Sequence, residues 1–214
     1  MNRNSIKVLL AVSLLVLVSL SCNAISSLQG QGSGALLKDD FSNSKSGWGT
    51  GTDSNSSVEY ADGGLQMQVF TKNYFIWSTP NKDMYDKVHM EVTVNNNGTD
   101  ATTAFGLLCY QQAVNSSFYY FAITPGQKYA IAKAAVAVTD VFLTNNDQWA
   151  SSDLIAKNAS AYHIGADCGN GTLTLYVDGK QIASVSDSTY TSGDRKSTRL
   201  NSSHIQKSRM PSSA

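Results

Sequence analysis

Charge is scarce in this chain. Asp, Glu, Lys and Arg make up 15% of its 214 residues, and only two of them are glutamates, Glu59 and Glu91. Histidine is as thin: His89 and His163 stand alone on polar strand faces, and the third lies near the C-terminus. Nothing there has the spacing of a metal site, so no metal is expected. No G-x-S-x-G elbow for a nucleophilic serine occurs. Gly30-Gln31-Gly32-Ser33-Gly34-Ala35 echoes a dinucleotide loop, but no strand precedes it and no helix follows. No cofactor is therefore expected. Sixteen Gly with abundant Ser, Thr and Asn lean instead towards many turns and short strands.

The one strongly apolar run, Val8 to Leu20, is too short to span a bilayer comfortably. With Arg3 and Lys7 ahead of it and small residues behind, it reads as a secretory signal peptide over 1–21. Ser19-Leu20-Ser21-Cys22 resembles a bacterial lipobox, in which Cys22 is lipidated and becomes the mature N-terminus. Leu20 stands two residues before the cysteine where the pattern has its leucine three before, so ordinary cleavage near Ala24 stays open. Residues 22–35 have the uncharged Gly/Ser/Gln character of a flexible, lipid-anchored tether. Export, with anchorage on the outer surface of a bacterial cell, is the expected location; without the lipid the protein is secreted. The other two cysteines, Cys109 and Cys168, lie in strand-like segments of an oxidising compartment. If they form a disulfide, Cys22 is the odd one out and acylation gives it a use. Two buried free thiols are the alternative.

Residues 194–214 need separate treatment. One choice of codons for Asp194 to His204 (DRKSTRLNSSH) spells a widely used sequencing-library adapter. Ser208 to Ala214 (SRMPSSA) matches its continuation in the same frame after the index gap. The stretch therefore reads as a non-native tail and is set aside from fold reasoning, against the alternative of a basic tail for nucleic acid or membrane. Its removal changes the charge. Without the tail, Arg3 and Lys7, nine Lys and Arg remain against fifteen Asp and Glu, a balance of −6. An acidic domain excludes nucleic acid as the main partner and leaves the membrane to be reached through the N-terminal lipid alone.

From Leu36 onward the period is two. His89-Met90-Glu91-Val92-Thr93-Val94-Asn95 alternates without a break, as does Thr172-Leu173-Thr174-Leu175-Tyr176-Val177, and Tyr162 to Cys168 nearly does. These are half-buried strands. Asp62-Gly63-Gly64, Asn97-Gly98, Pro125-Gly126, Gly169-Asn170-Gly171 and Asp178-Gly179 punctuate them, the last two as hairpin turns. Only Val136 to Ile155 blurs the pattern, reading as a long loop holding a strand and a short helical turn. The expected fold is all-β: an antiparallel β-sandwich of jelly-roll type over 36–193.

Several stretches carry a family resemblance: Lys38-Asp39-Asp40-Phe41-Ser42 with Ser46-Gly47-Trp48, Tyr74 to Ser78, Ala104 to Tyr110, Phe118 to Ile123, and His163 to Val185. Together they resemble the concanavalin A-like lectin/glucanase jelly rolls (LamG-like, 3-keto-disaccharide hydrolase-like) found behind lipoprotein signals. In that family further strands follow Ser192-Gly193-Asp194, so the resemblance implies a sandwich lacking one or two C-terminal strands. Glucanases of this fold carry Glu-x-Asp-x-Glu on one strand face; here the face of Glu91 continues as Thr93 and Asn95, so the motif is absent. The resemblance thus implies a non-catalytic cell-surface module with a glycan ligand. The alternatives are a structural or protein-interaction domain of a surface assembly and a glycoside hydrolase-like enzyme. With Phe105, Leu107 and Cys109 assigned to the core, parity places Tyr110 and Gln112 on the opposite face. Tyr120, His163, Asp167 and Tyr176 join them by the same parity. Tyrosines among polar neighbours suit sugar rings and hydroxyls, which makes these six the candidate ligand-binding residues. Trp48, Trp77 and Trp149 read as core or loop-packing residues.

Overall fold

The computed structural model describes residues 37–80, 85–112, 117–135 and 138–193, together with the backbone of Ile205–Gln206. The signal peptide, Cys22, the tether and, apart from that two-residue strand, the 194–214 tail lie outside the described residues. The chain divides into a unit at 1–40, of which only 37–40 are described, and a unit at 41–214 that carries every strand.

Hairpin chemistry sets the local order. β2 (Ser56–Ala61) and β3 (Gly64–Val69) join through Asp62-Gly63. β11 (Ala161–Gly169) and β12 (Thr172–Val177) join through Asn170-Gly171, and β12 meets β13 (Lys180–Ser186) through Asp178-Gly179. In all three loops both residues have φ between 50° and 74°. A two-residue turn with both φ positive matches the twist of its strands, and Asn-Gly or Asp-Gly tolerates that geometry where β-branched residues would not.

All pairing is antiparallel. A four-stranded sheet has the order β13-β12-β11-β5, where β5 is Lys87–Asn95. A five-stranded sheet has the order β10-β8-β7-β6, with β9 also on β8. Its strands are β6 (Phe105–Cys109), β7 (Phe118–Ile123), β8 (Lys128–Ala135), β9 (Val138–Phe142) and β10 (Ala150–Ser151). β1 (Gly51–Thr52) adds to β2 and β3 in a small third sheet. β4 (Tyr74–Phe75) pairs with the backbone of β14 (Ile205–Gln206). The blurred stretch beyond Val136 thus holds two strands, β9 and β10, and no helix occurs among the described residues.

The two large sheets share one core. Tyr119, Phe121, Ile123 and Ile131 of the five-stranded sheet pack in one cluster with Tyr162, Ile164, Leu173, Leu175 and Val177 of the four-stranded sheet. Each is essentially buried, and a side chain of this size contributes about 1.5–3 kcal/mol when removed from water. Cys109 on β6 and Cys168 on β11 are joined by a disulfide across the two sheets, as the cysteine count suggested. They lie 59 residues apart, and closing a loop of that length restrains the unfolded chain by about 4 kcal/mol on the chain-entropy account.

A second cluster covers the outside of the five-stranded sheet. Phe118, Tyr120, Ala122, Ala132 and Ala134 are buried there beneath Phe75, Phe142 and Trp149. Phe75 lies 5.7 Å from Phe118 and 5.6 Å from Tyr120, and Trp77 lies 5.5 Å from Phe118, between ring centroids. The tryptophans pack as read: Trp77 and Trp149 against this layer, Trp48 against Phe41 at 5.1 Å.

Candidate functional site

Among the described residues, nothing covers the outward face of the four-stranded sheet in this way. Alternation along β5 turns Val88, Met90, Val92 and Val94 inward and leaves Lys87, His89, Glu91, Thr93 and Asn95 exposed. β11 pairs with β5 over nine residues without a slip, setting Asp167 opposite His89, Gly165 opposite Glu91 and His163 opposite Thr93. On its other side β11 sets Gly165 beside Tyr176 and Asp167 beside Thr174. Gly165 leaves a gap in this row: a Cβ there would stand 3.3 Å from Cβ of Tyr176. The gap gives the Tyr176 ring room to lie towards His89, its centroid 6.1 Å from the imidazole in an edge-on arrangement.

A hydrogen-bonded chain crosses these three strands. The Tyr176 hydroxyl donates to Oδ2 of Asp167 at 2.7 Å, and Oδ1 of Asp167 lies 2.6 Å from Nδ1 of His89. Nε2 of His89 lies 3.2 Å from Oε1 of Glu91, and Nε2 of His163 lies 3.8 Å from Oε2 of the same glutamate. His89 and His163 are therefore not solitary, contrary to the reading of them as lone residues: Glu91 approaches both. The side chains of His89 and Glu91 are about half exposed, and those of His163 and Asp167 about two-fifths exposed. The hydrogen bond to Asp167 raises the His89 pKa; burial opposes this, and Glu91 adds to the rise. The bond to Asp167 likewise raises the Tyr176 phenol.

Beside this chain the surface dips into an open depression of about 370 Å³ lined in part by Lys87, His89, Asp167, Gly169, Thr172 and Thr174. Gly169 makes room for the stem of Lys87, since a Cβ there would sit 3.2 Å from Lys87 Cγ. The Thr174 hydroxyl shares a hydrogen bond with Ser184 at 3.0 Å. Among the described residues, no three His, Cys, Asp or Glu side chains converge as for a metal ion.

The six candidate residues do not form one surface. His163, Asp167 and Tyr176 lie together on this open face. Tyr110 does not lie opposite Cys109: β6 ends at Cys109, and Tyr110 takes φ +54°, which breaks the alternation and turns its ring into the main core. Its hydroxyl donates to the Asp86 carbonyl, and burial with the nearby Asp86 raises its pKa. Gln112 donates to the carbonyls of Tyr110 and Ser192, both at 2.7 Å, and so fastens a loop. Tyr120 does face away from Phe121, but into the second aromatic layer, where it is 6% exposed and donates to Asp140 at 3.0 Å. Burial, reinforced by Asp140, pushes its phenol far above the ordinary range. Lys87, His89 and Glu91 were absent from the candidates. Their signal was the polar half of the β5 alternation, and what makes it a site is a partner strand some 78 residues away.

No protein-family profile matches this chain, and no curated protein matches it. Among solved structures it is similar to the carbohydrate-binding module CBM66 from Bacillus subtilis, at 13% identity and a TM-score of 0.52. The match covers 76% of this chain and 92% of that one. The likeness is one of fold. It agrees with a jelly-roll β-sandwich built of antiparallel sheets.

Proposed function

We propose that this chain is a carbohydrate-binding module whose ligand meets the outward face of the four-stranded sheet. The observation that carries the reading is the Tyr176–Asp167–His89–Glu91 chain of side chains lying open beside a depression. Hydroxyl, carboxylate and imidazole groups held in fixed positions match sugar hydroxyls, and a tyrosine supplies apolar ring surface among them. The fold shared with a carbohydrate-binding module supports the same reading. Titration on a glycan array tests it: a bound glycan should be lost in Tyr176→Ala and Asp167→Ala and kept in Tyr120→Phe. An array with no bound glycan would overturn the proposal.

Exported, lipid-anchored presentation belongs to the same proposal and rests on Arg3, Lys7, the Val8 to Leu20 run and Cys22. Metabolic labelling with a fatty-acid analogue should mark the protein and fail to mark Cys22→Ser. Equal labelling of both would remove the anchor.

A further inference from the structure

The depression has an imbalance that the glycan reading alone does not use. Asp167 is occupied on both oxygens, by the Tyr176 hydroxyl and by His89. His89 is occupied on both nitrogens, by Asp167 and Glu91. The Thr174 hydroxyl is shared with Ser184. Lys87 differs. Its stem lies across Gly169 at the edge of the depression, and it takes part in no ion pair among the described residues. An ammonium brings three donors and no acceptor, whereas the acceptors around it are already engaged. A neutral sugar's hydroxyls can accept from the ammonium as well as donate, but they bring no charge to offset it. A sugar bearing a carboxylate or sulfate offers acceptors and a compensating charge.

From this donor surplus we infer that the depression takes an acidic saccharide unit, its anionic group on Lys87 and a hydroxyl on Thr172. The inference rests on the proposed glycan-binding role of this face. The domain's balance of −6 opposes approach of a polyanion at long range, but that repulsion is screened beyond about 8 Å at physiological salt, and the Lys87 contact is local.

The test is calorimetric titration of the full chain with oligogalacturonate, with the same oligomer fully methyl-esterified, and with a sulfated galactan oligomer. The free acid should bind about fivefold more tightly than its ester, the range of one partly exposed charge contact, and the preference for acid over ester should vanish in Lys87→Met. Tighter binding of the sulfated oligomer than of the free acid would assign the anion as sulfate, provided Lys87→Met abolishes that preference too. Equal affinities for acid, sulfate and ester would overturn the inference and leave the glycan reading standing. A preference that survives Lys87→Met would overturn it as well, by placing the anion elsewhere. No binding by any oligomer, together with an empty glycan array, would overturn the glycan reading itself.

Discussion

The outer faces of the two large sheets make opposite use of similar strands. On the five-stranded sheet, β7 is buried on both sides, its residues alternating between the shared core and an aromatic layer of Phe75, Trp77, Phe142 and Trp149. On the four-stranded sheet, β5 is apolar inward and polar outward along its whole length, and among the described residues its polar side is uncovered. A strand covered on both faces reads as a continuous apolar run, and one with a solvated face alternates. Tyrosine serves in both settings. Tyr120 and Tyr176 each donate to an aspartate, yet one is sealed in a core and the other is available at the surface.

Substitution should separate the two faces. Tyr120→Ala opens a cavity beneath a covered layer and should cost about 3–5 kcal/mol in chemical denaturation, the usual range for a buried aromatic. Tyr176→Ala, on the bare face, should cost within about 1 kcal/mol and act on ligand binding instead. Similar losses for the two would erase the distinction.

A smaller effect belongs to the seam beside the shared core. Asp187 accepts from Lys133 Nζ at 2.9 Å, from the Thr189 backbone at 2.8 Å and from the Tyr119 hydroxyl. Burial alone would raise its carboxyl; the bonds from Lys133, Thr189 and Tyr119 outweigh that and hold it far below the usual carboxylate range. Tyr119 is pushed up to about 12, by burial first and Asp187 second. A depressed carboxyl contributes stability that is present above its unfolded pKa of about 3.9 and lost as pH falls towards the folded value. Acid denaturation below pH 4 should therefore weaken in Asp187→Asn, whose stability at pH 7 is already reduced. An unchanged acid limb would remove Asp187 from that role.

The smallest effect lies on the bare face and has the opposite sign. The raised pKa of His89 means that its contacts with Asp167 and Glu91 add stability below about pH 6.5, lost as pH rises through the folded value. Exposure limits the gain. NMR titration should find the His89 midpoint above the ordinary histidine value in the intact protein and closer to it in Asp167→Asn. An unshifted midpoint in the intact protein would break the chain at that link.

Much of the fold was legible. The β5 and β12 alternations and the Asn170-Gly171 and Asp178-Gly179 turns are local signals, and local physics suffices to place them. The cross-sheet disulfide followed from counting cysteines, with free thiols still open. The site was legible only in part. His163, Asp167 and Tyr176 were placed by parity, which holds inside an unbroken strand. Parity failed at Tyr110 because a positive φ ends the alternation there. It misled at Tyr120 because it assigns a face and says nothing of what covers it, although the unbroken apolar run Phe118 to Ile123 was itself a sign of cover. His89 and Glu91 were missed because their importance comes from register with a distant strand, which no local window contains.

That register has a kinetic meaning. β5 and β11 are neighbours in space, yet the whole five-stranded sheet lies between them in sequence. Contacts of such long range form slowly, since loop-closure entropy is spent before they reward it. The face carrying His89, Asp167 and Tyr176 therefore does not exist in any partly folded chain whose two halves have yet to meet. Recognition on that face, as proposed, would report completed folding, and a saturating ligand would deepen the native well by RT ln(1 + [L]/Kd) without rescuing intermediates that lack the pairing.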